Sequence, residues 1–448
     1  MGIKNRLITM SFLQFFVWGA WLITIANYWF GTKQWEGTQF GLVFGTMGIA
    51  SLFMSSLTGI IADRWINAEK LYGILHILYA AVLFSFPFVE TPTAFIYVML
   101  LAMCFYMPTI SLSNSISYTS LKLSNKDVVK DFPPIRVFGT IGFIVAMWIT
   151  NLTGNKATEY QFYIAGIAAL ILGFYAFTLP KCEPQKLTKE NATLSETLGL
   201  EAFKFFADYK MALFFIFSMF LGGALQLTNA YGDVFLDEFK HFPKYADSFV
   251  VEYSTIIMSI SQISETLFIL AIPFFLKRFG IKQVMLISML AWVLRFALFA
   301  FGDPTTGLWM IIMSCVVYGM AFDFFNISGS LFVETNTEPK NRSSAQGLFM
   351  MMTNGFGAVL GSFTSGWAID KYFTKSFSNT TELSTYLQTE PDNQLMSGFI
   401  QGQGVEITNG VFSREILMKD WHSIWISFAV YALIIAIAFA ILFKHKHK

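Results

Sequence analysis

Apolar stretches about twenty residues long, divided by short polar or charged connectors, recur along the whole chain. Runs such as LYGILHILYAAVLFSFPFV and WISFAVYALIIAIAFAILF approach the ~20 residues that cross a ~30 Å hydrocarbon core as a helix. The pattern predicts spans near 7–29, 40–62, 71–89, 93–117, 135–153, 159–179, 211–236, 249–275, 282–301, 307–333, 345–369 and 421–443. Backbone polar groups cannot be left unpaired in lipid, and these runs are too long for barrel strands, so they are expected to be helices. Two connectors are long. Residues 181–210 balance basic against acidic side chains and read as a cytoplasmic linker with a short amphipathic helix, dividing six spans (1–180) from six (211–448). Residues 370–420 are polar, rich in Ser, Thr, Asn and Gln, and read as a long exterior loop.

Composition sharpens this. With 55% hydrophobic and only 13% charged residues, the chain cannot cover the surface of a soluble domain, so it is read as a polytopic membrane protein. A net charge of +1 gives no argument for nucleic acid. The 3 cysteines show no disulfide or zinc spacing: Cys104 and Cys315 lie in apolar runs and Cys182 in a connector. The first apolar run follows Lys4 and Arg6 as in a signal peptide, but it is too long and lacks a cleavage site, so it is read as a retained helix. Placing both termini in the cytoplasm puts twenty of the 30 Lys and Arg inside and eight outside, as the positive-inside rule requires.

The halves repeat one another. TIGF at Thr140–Phe143 recurs as TNGF at Thr353–Phe356, GIIADRWINAEKL from Gly59 aligns with IPFFLKRFGIKQV at the same displacement, and Tyr106 and Asn114 precede Tyr318 and Asn326 by nearly the same interval. Two repeated six-helix bundles around a central pathway describe a secondary transporter with its site near the midplane. The sequence Gly59-x-x-x-Asp63-Arg64 after the second span resembles the signature loop of the major facilitator superfamily. There Asp63 and Arg64 can pair across helix ends and hold the bundles shut, although an ordinary positive-inside loop reads the same way. The expected fold is an all-α membrane protein of twelve transmembrane helices in two pseudo-symmetric six-helix bundles.

Ionisable groups at membrane depth cost roughly 2.5 to 3.5 kcal/mol each, so each calls for a role. Glu265 in span eight and Asp323 in span ten are the clearest. Gln262 and Glu265 stand three apart on one helix face, as do Gln226 and Asn229 in span seven. Span five presents Arg136, Thr140 and Phe143, and span ten presents Tyr318 and Phe322, with Asp323 turned about 100° away. Plainer readings stand beside these. Phe143, Phe322 and Tyr318 can be packing, Gln and Asn can be interhelical glue, and Arg136 and Arg295 can anchor an interface. Gln14, Trp18 and Trp21 share a helical spacing that could floor a cavity, but tryptophan is common at membrane interfaces, which is the preferred reading. His76 is solitary and gets no proton-relay role.

Amides, a carboxylate, an arginine and aromatic rings suit a polyhydroxylated ligand with a flat apolar part. A nucleoside meets that description and a sugar less well. The strings SFLQFFVWGAWL, DFPPIRVFGTIGF, MSISQISETLFIL, RFALFAFGDP, YGMAFDFFNISGS and AQGLFMMMTNGFG resemble the nucleoside:proton symporter family of the major facilitator superfamily, the bacterial nucleoside permeases, over nearly the whole chain. The resemblance implies a nucleoside pocket built from Arg136, Thr140, Phe143, Gln226, Asn229, Gln262, Glu265, Tyr318 and Phe322, with Asp323 needed for proton coupling. The segment 370–420 is longer than the family's usual link.

The resulting expectation is an importer of nucleosides of the uridine and adenosine type by proton symport, in a bacterial inner membrane, working by alternating access. Asp323 is expected to be neutralised and recharged once per cycle, with Glu265 mainly a ribose or base ligand that also serves coupling. Gly59, Asp63 and Arg64 are the expected gate. The only partners expected are nucleosides, protons and the bilayer, with no nucleic acid, no obligate protein partner, no cofactor and no metal. No nucleophile–base pair or phosphate loop suggests an enzyme. A sugar:proton or sodium-coupled symporter on the same scaffold is the alternative.

Overall fold

The computed structural model describes residues 2–184, 200–337 and 342–444. Helix α1 (Ile3–Gly19) passes through a turn into a π-helical segment, Asn27–Thr32. Then come α2 (Gly37–Arg64), α3 (Ala68–Leu83), α4 (Pro92–Leu123), α5 (Val128–Leu152) and α6 (Tyr160–Ala176). A 3₁₀ turn (Leu200–Ala207) leads into α7 (Tyr209–Glu238). The helical run Ser254–Phe301 is broken at Gly280, whose φ of 76° suits a residue without Cβ, giving α8 (254–279) and α9 (281–301). Helix α10 (Leu308–Asn336) follows, then α11 (Arg342–Met350), a π segment (Met351–Gly357), α12 (Ala358–Tyr372) and finally, beyond a small module, α15 (Trp421–Leu442).

Twelve spans were expected; among the described residues, eight helices are long and apolar enough to cross a membrane as single runs. The difference has local causes. Helix α1 stops at Gly19, α6 is a 17-residue apolar helix, α8 and α9 run together, and the stretch from Arg342 to Tyr372 is interrupted by its π segment. Large apolar side chains such as Phe53, Leu267, Leu270 and Ile434 point outward, as a lipid-facing surface requires.

Tyr175 Oη donates to the Arg6 carbonyl (3.2 Å), Lys4 pairs with Asp131 (3.6 Å), and Lys282 Nζ donates to Ala440 O (3.1 Å), which marks one terminal end. The opposite end carries the connectors after the Asn27–Thr32 segment, α5 and α7. Helix α1 packs on α5 so closely that a Cβ on Gly19 would strike the Phe143 carbonyl, and α7 meets the π segment in the same way through Gly222 and the Thr353 carbonyl. These two close helix contacts therefore involve the TIGF and TNGF repeats. Between the halves, α2 packs on α12, where a Cβ on Gly366 would lie 2.6 Å from Gly37 O, and α5 packs on α8.

Residues 374–419 are not a loop. They form β1 (Thr374–Asn379), α13 (Thr380–Leu387), α14 (Gln394–Gly402), β2 (Ile407–Thr408) and β3 (Val411–Lys419), in an antiparallel sheet of order β1-β3-β2. Leu383, Leu387, Met396 and Ile400 are buried between helices and sheet, giving the module its own small core. The expected gate motif also shifts: Gly59 and the Asp63 and Arg64 backbones belong to the last turns of α2 rather than to a loop, and the Asp63 and Arg64 side chains lie outside the described residues. A short amphipathic helix was expected within the linker 181–210; residues 185–199 of it lie outside the described ones, and the described part holds the 3₁₀ turn Leu200–Ala207.

Candidate functional site

A cavity of about 730 Å³ lies between the halves, within the roughly 300–1,000 Å³ typical of small-molecule sites. Its wall includes Arg136, Thr140 and Phe143 from α5, Gln226 and Asn229 from α7, Gln262 and Glu265 from α8, and Tyr318 and Phe322 from α10. Nine residues read from four separate stretches thus meet around one space. The 3-residue and 4-residue spacings explain how: each pair projects from one helix face. Gly319 brings the acidic pair of helices together, because a Cβ there would sit 2.6 Å from the backbone of Ser264 and Glu265. Ser264 Oγ donates to the Val316 carbonyl at the same crossing.

The wall is mixed in character. The Tyr318 and Phe322 rings stack at 5.9 Å and 10°, forming a flat apolar face. The Arg136 guanidinium lies over the Phe15 ring at 4.0 Å and is the cation felt by both Glu265 and Asp323. Asp323 is not on the cavity wall itself. It is buried just behind Phe322, one position further along α10. Several buried polar atoms have no hydrogen-bond partner among the described residues: Gln226 Oε1, Gln262 Oε1, Asp323 Oδ2 and Trp18 Nε1. Unpaired buried polar atoms are costly, so a wall that keeps three of them, with Asp323 behind it, is built to be completed by something else.

The far end above this cavity is shut by polar contacts between the halves. Lys156 Nζ pairs with Asp237 (2.7 Å) and donates to Val251 O (2.7 Å), Asn151 Nδ2 donates to Glu252 O (3.0 Å), and Trp148 Nε1 donates to Ser259 Oγ (2.8 Å). Asn27 bonds Asp233, and the Asp370 carboxylate receives Gly37 N–H (3.1 Å) and the Thr38 hydroxyl (2.6 Å). The lining instead reaches toward the terminal end through Asn114, Gly347 and Leu348.

The family model described as Nucleoside H+ symporter matches residues 1–390. The chain belongs to the nucleoside H+ symporter family. It is 46% identical over 448 residues to nucleoside permease NupG of Escherichia coli (strain K12) and 47% identical over 448 residues to xanthosine permease of the same organism, each alignment covering 100% of this chain and 97% of the relative. A crystal structure of nucleoside transporter NupG (D323A mutant), 45% identical, superposes with a TM-score of 0.86 over 99% of this chain and 100% of that one. This nucleoside H+ symporter is therefore a transporter with the major facilitator fold, not an enzyme, and it imports nucleosides coupled to protons.

Within the symporter, sequence reasoning misplaced one residue and missed others. Trp18 was assigned to a membrane interface, yet it lines the cavity, edge-on to Phe143 at 6.2 Å. Of its companions, Gln14 donates to Thr109 Oγ1 (2.9 Å) and accepts from Tyr72 Oη (2.6 Å), and Trp21 donates to Tyr79 Oη (2.9 Å); both are interhelical glue. Asn114, Ser111, Ser51 and Asn354 also line the space, and of these only Asn114 and Asn354 had drawn notice, as parts of the repeat. His76 is buried against Tyr72 O (3.1 Å), away from the cavity lining.

Proposed function

We propose that the cavity is the nucleoside site and that Asp323 and Glu265 couple it to protons. The observation that carries this reading is the set of unpartnered buried polar atoms around a cavity that also presents a stacked Tyr318–Phe322 face. Amides at Gln226, Asn229 and Gln262 offer both donors and acceptors to a base, and the Glu265 carboxylate can accept from vicinal ribose hydroxyls. Arg136 and Thr140 complete the polar side, while Phe143 and Phe322 bound the apolar one. Asp323, one residue beyond the wall residue Phe322, takes a proton from the far side and gives it up when water reaches it from the terminal side.

The same reading resolves the architecture. Joining α1 to its π segment, α11 to α12 through theirs, and dividing α8 from α9 at Gly280 gives twelve spans. They form two six-helix bundles, 1–180 and 211–448, joined by 181–210 and rocking about the cavity. Both termini then face the cytoplasm of a bacterial inner membrane, the far end faces outward, and the far-end contacts hold the transporter closed on that side. Gly59, Asp63 and Arg64, at the inner end of α2, act when that side closes in turn.

Uridine- and adenosine-type nucleosides are the proposed substrates, with xanthosine an informative third because one relative is a xanthosine permease. Reconstituted vesicles with an inward proton gradient and collapsed voltage should accumulate at least one of the three labelled nucleosides. Sodium dependence at fixed pH, or competition by sugars rather than nucleosides, would contradict the assignment.

A further inference from the structure

Arg295 of α9 lies completely buried, behind the cavity wall rather than on it. A buried cation needs compensation, and the way this one is compensated is informative. Its Nε donates to Thr228 Oγ1 (3.2 Å) on α7, its Nη1 donates to Ser314 O (2.6 Å) on α10 and reaches Ser261 Oγ (3.4 Å) on α8. Ser314 Oγ returns a bond to the Arg295 carbonyl (2.9 Å). The guanidinium also lies 4.7 Å from the centre of the Tyr318 ring. Each of these partners adjoins a wall residue. Thr228 stands between Gln226 and Asn229, Ser261 precedes Gln262, and Tyr318 is itself wall, one turn beyond Ser314.

We propose that Arg295 is a positioning residue for nucleoside binding: one planar cation fixes the register of α7, α8 and α10 against one another and holds the Tyr318 ring at the angle the ligand meets. The rigid fork is what allows three helices to be held at once, which a lysine ammonium on a flexible stem cannot reproduce. Displacing a wall contact by a fraction of an ångström weakens binding without emptying the site. This inference rests on Tyr318 contacting the nucleoside, as proposed above.

The test is a double-mutant cycle on purified transporter, titrated with whichever of uridine, adenosine and xanthosine the unmodified protein binds. R295M is expected to weaken binding about tenfold, the scale of one or two lost positioning bonds, and R295K to recover only part of it. In a Y318A background R295M should add less than about twofold, because residues acting through a shared contact are not additive. A merely structural arginine would lower the melting temperature and weaken both backgrounds by the same factor. If R295M does not yield folded protein, T228V and S261A replace it, each expected to weaken binding about threefold with less effect in Y318A. Affinity unmoved by R295M (or by both substitutes), or equal factors in the two backgrounds, overturns the inference. An unmoved Y318A overturns the wall reading itself, and this inference with it.

Discussion

The far end of the molecule and the cavity beneath it are both polar places inside an apolar protein, and they differ in what holds that polarity: ion pairs and bonds between helices at the far end, an open space around the cavity. At the far end, most charges and amides are matched: Lys156 with Asp237 and the Val251 carbonyl, Asp370 with Gly37 and Thr38, and Asn151 with Glu252 and, through its carbonyl oxygen, with Ile256 N–H (3.4 Å), while Asn27 and Asp233 each keep one oxygen without a partner among the described residues. Around the cavity, Gln226, Gln262, Trp18 and Asp323 keep atoms without partners. Matched polar groups rigidify and latch, whereas unmatched ones wait for a ligand or a proton. The contrast separates closing the transporter from loading it, and it says which substitutions should affect which property.

The largest effect is expected on the wall. Glu265→Gln keeps shape but removes the charge that vicinal hydroxyls would donate to, and charge-assisted bonds are worth ~1.5–3 kcal/mol, so nucleoside affinity should fall roughly ten- to hundredfold in a binding titration. Unchanged affinity would remove Glu265 from the ligand shell. Next comes the latch. Lys156→Ala leaves Asp237 with Lys240 (2.5 Å) alone and should favour the state open at the far end. Truncating a partly buried ion pair on this scale shifts the equilibrium by about 1–3 kcal/mol, below the 3–5 of a fully buried one. A cysteine placed at Asn229 should then react several times faster with an impermeant thiol reagent added on that side, and no change in rate would deny Lys156 a latching role.

A smaller version of the same shift is expected from Thr38→Val, which deletes one hydroxyl bond to Asp370 (2.6 Å), worth about 1 kcal/mol. Equal labelling of T38V and the unmodified protein would place that contact outside the latch. The smallest effect belongs to the module. Asp420 caps α15 through Ser423 (3.3 Å) and pairs with Lys375 (2.8 Å). Burial pushes its carboxyl up, but Lys375 and the Ser423 bonds outweigh this and hold it below the usual range. Its contribution is present above the unfolded value of about 4 and is lost as pH falls through the lower folded value. D420N should lower the melting temperature slightly at pH 7, with the difference shrinking toward pH 3 and transport unchanged; a difference independent of pH would contradict the pairing.

Much of the cavity was legible because its signal is local. Gln262 with Glu265 and Gln226 with Asn229 announce a shared face by spacing alone, and carboxylates in apolar runs stand out against the cost of burying them. Trp18 was not legible, because an indole at an interface and an indole on a cavity wall leave the same trace in a sequence; only the neighbouring helices distinguish them. Residues 374–419 were read as a loop because polar residues outnumber the apolar ones there, yet Leu383 with Leu387 and Met396 with Ile400 already carried helical four-residue spacing. The π segments had no sequence signature at all, and Arg295 looked like an anchor until its three neighbouring helices were in place.

Asp323 is where the account is most exposed. Vesicles holding the unmodified protein or Asp323→Asn, with an imposed inward proton gradient and no voltage, should be compared for accumulation of labelled nucleoside and for exchange of internal against external nucleoside. The variant should exchange its substrate but never concentrate it above the outside level, while the unmodified protein does both. Concentrative, pH-driven uptake by the variant at the unmodified rate would contradict that.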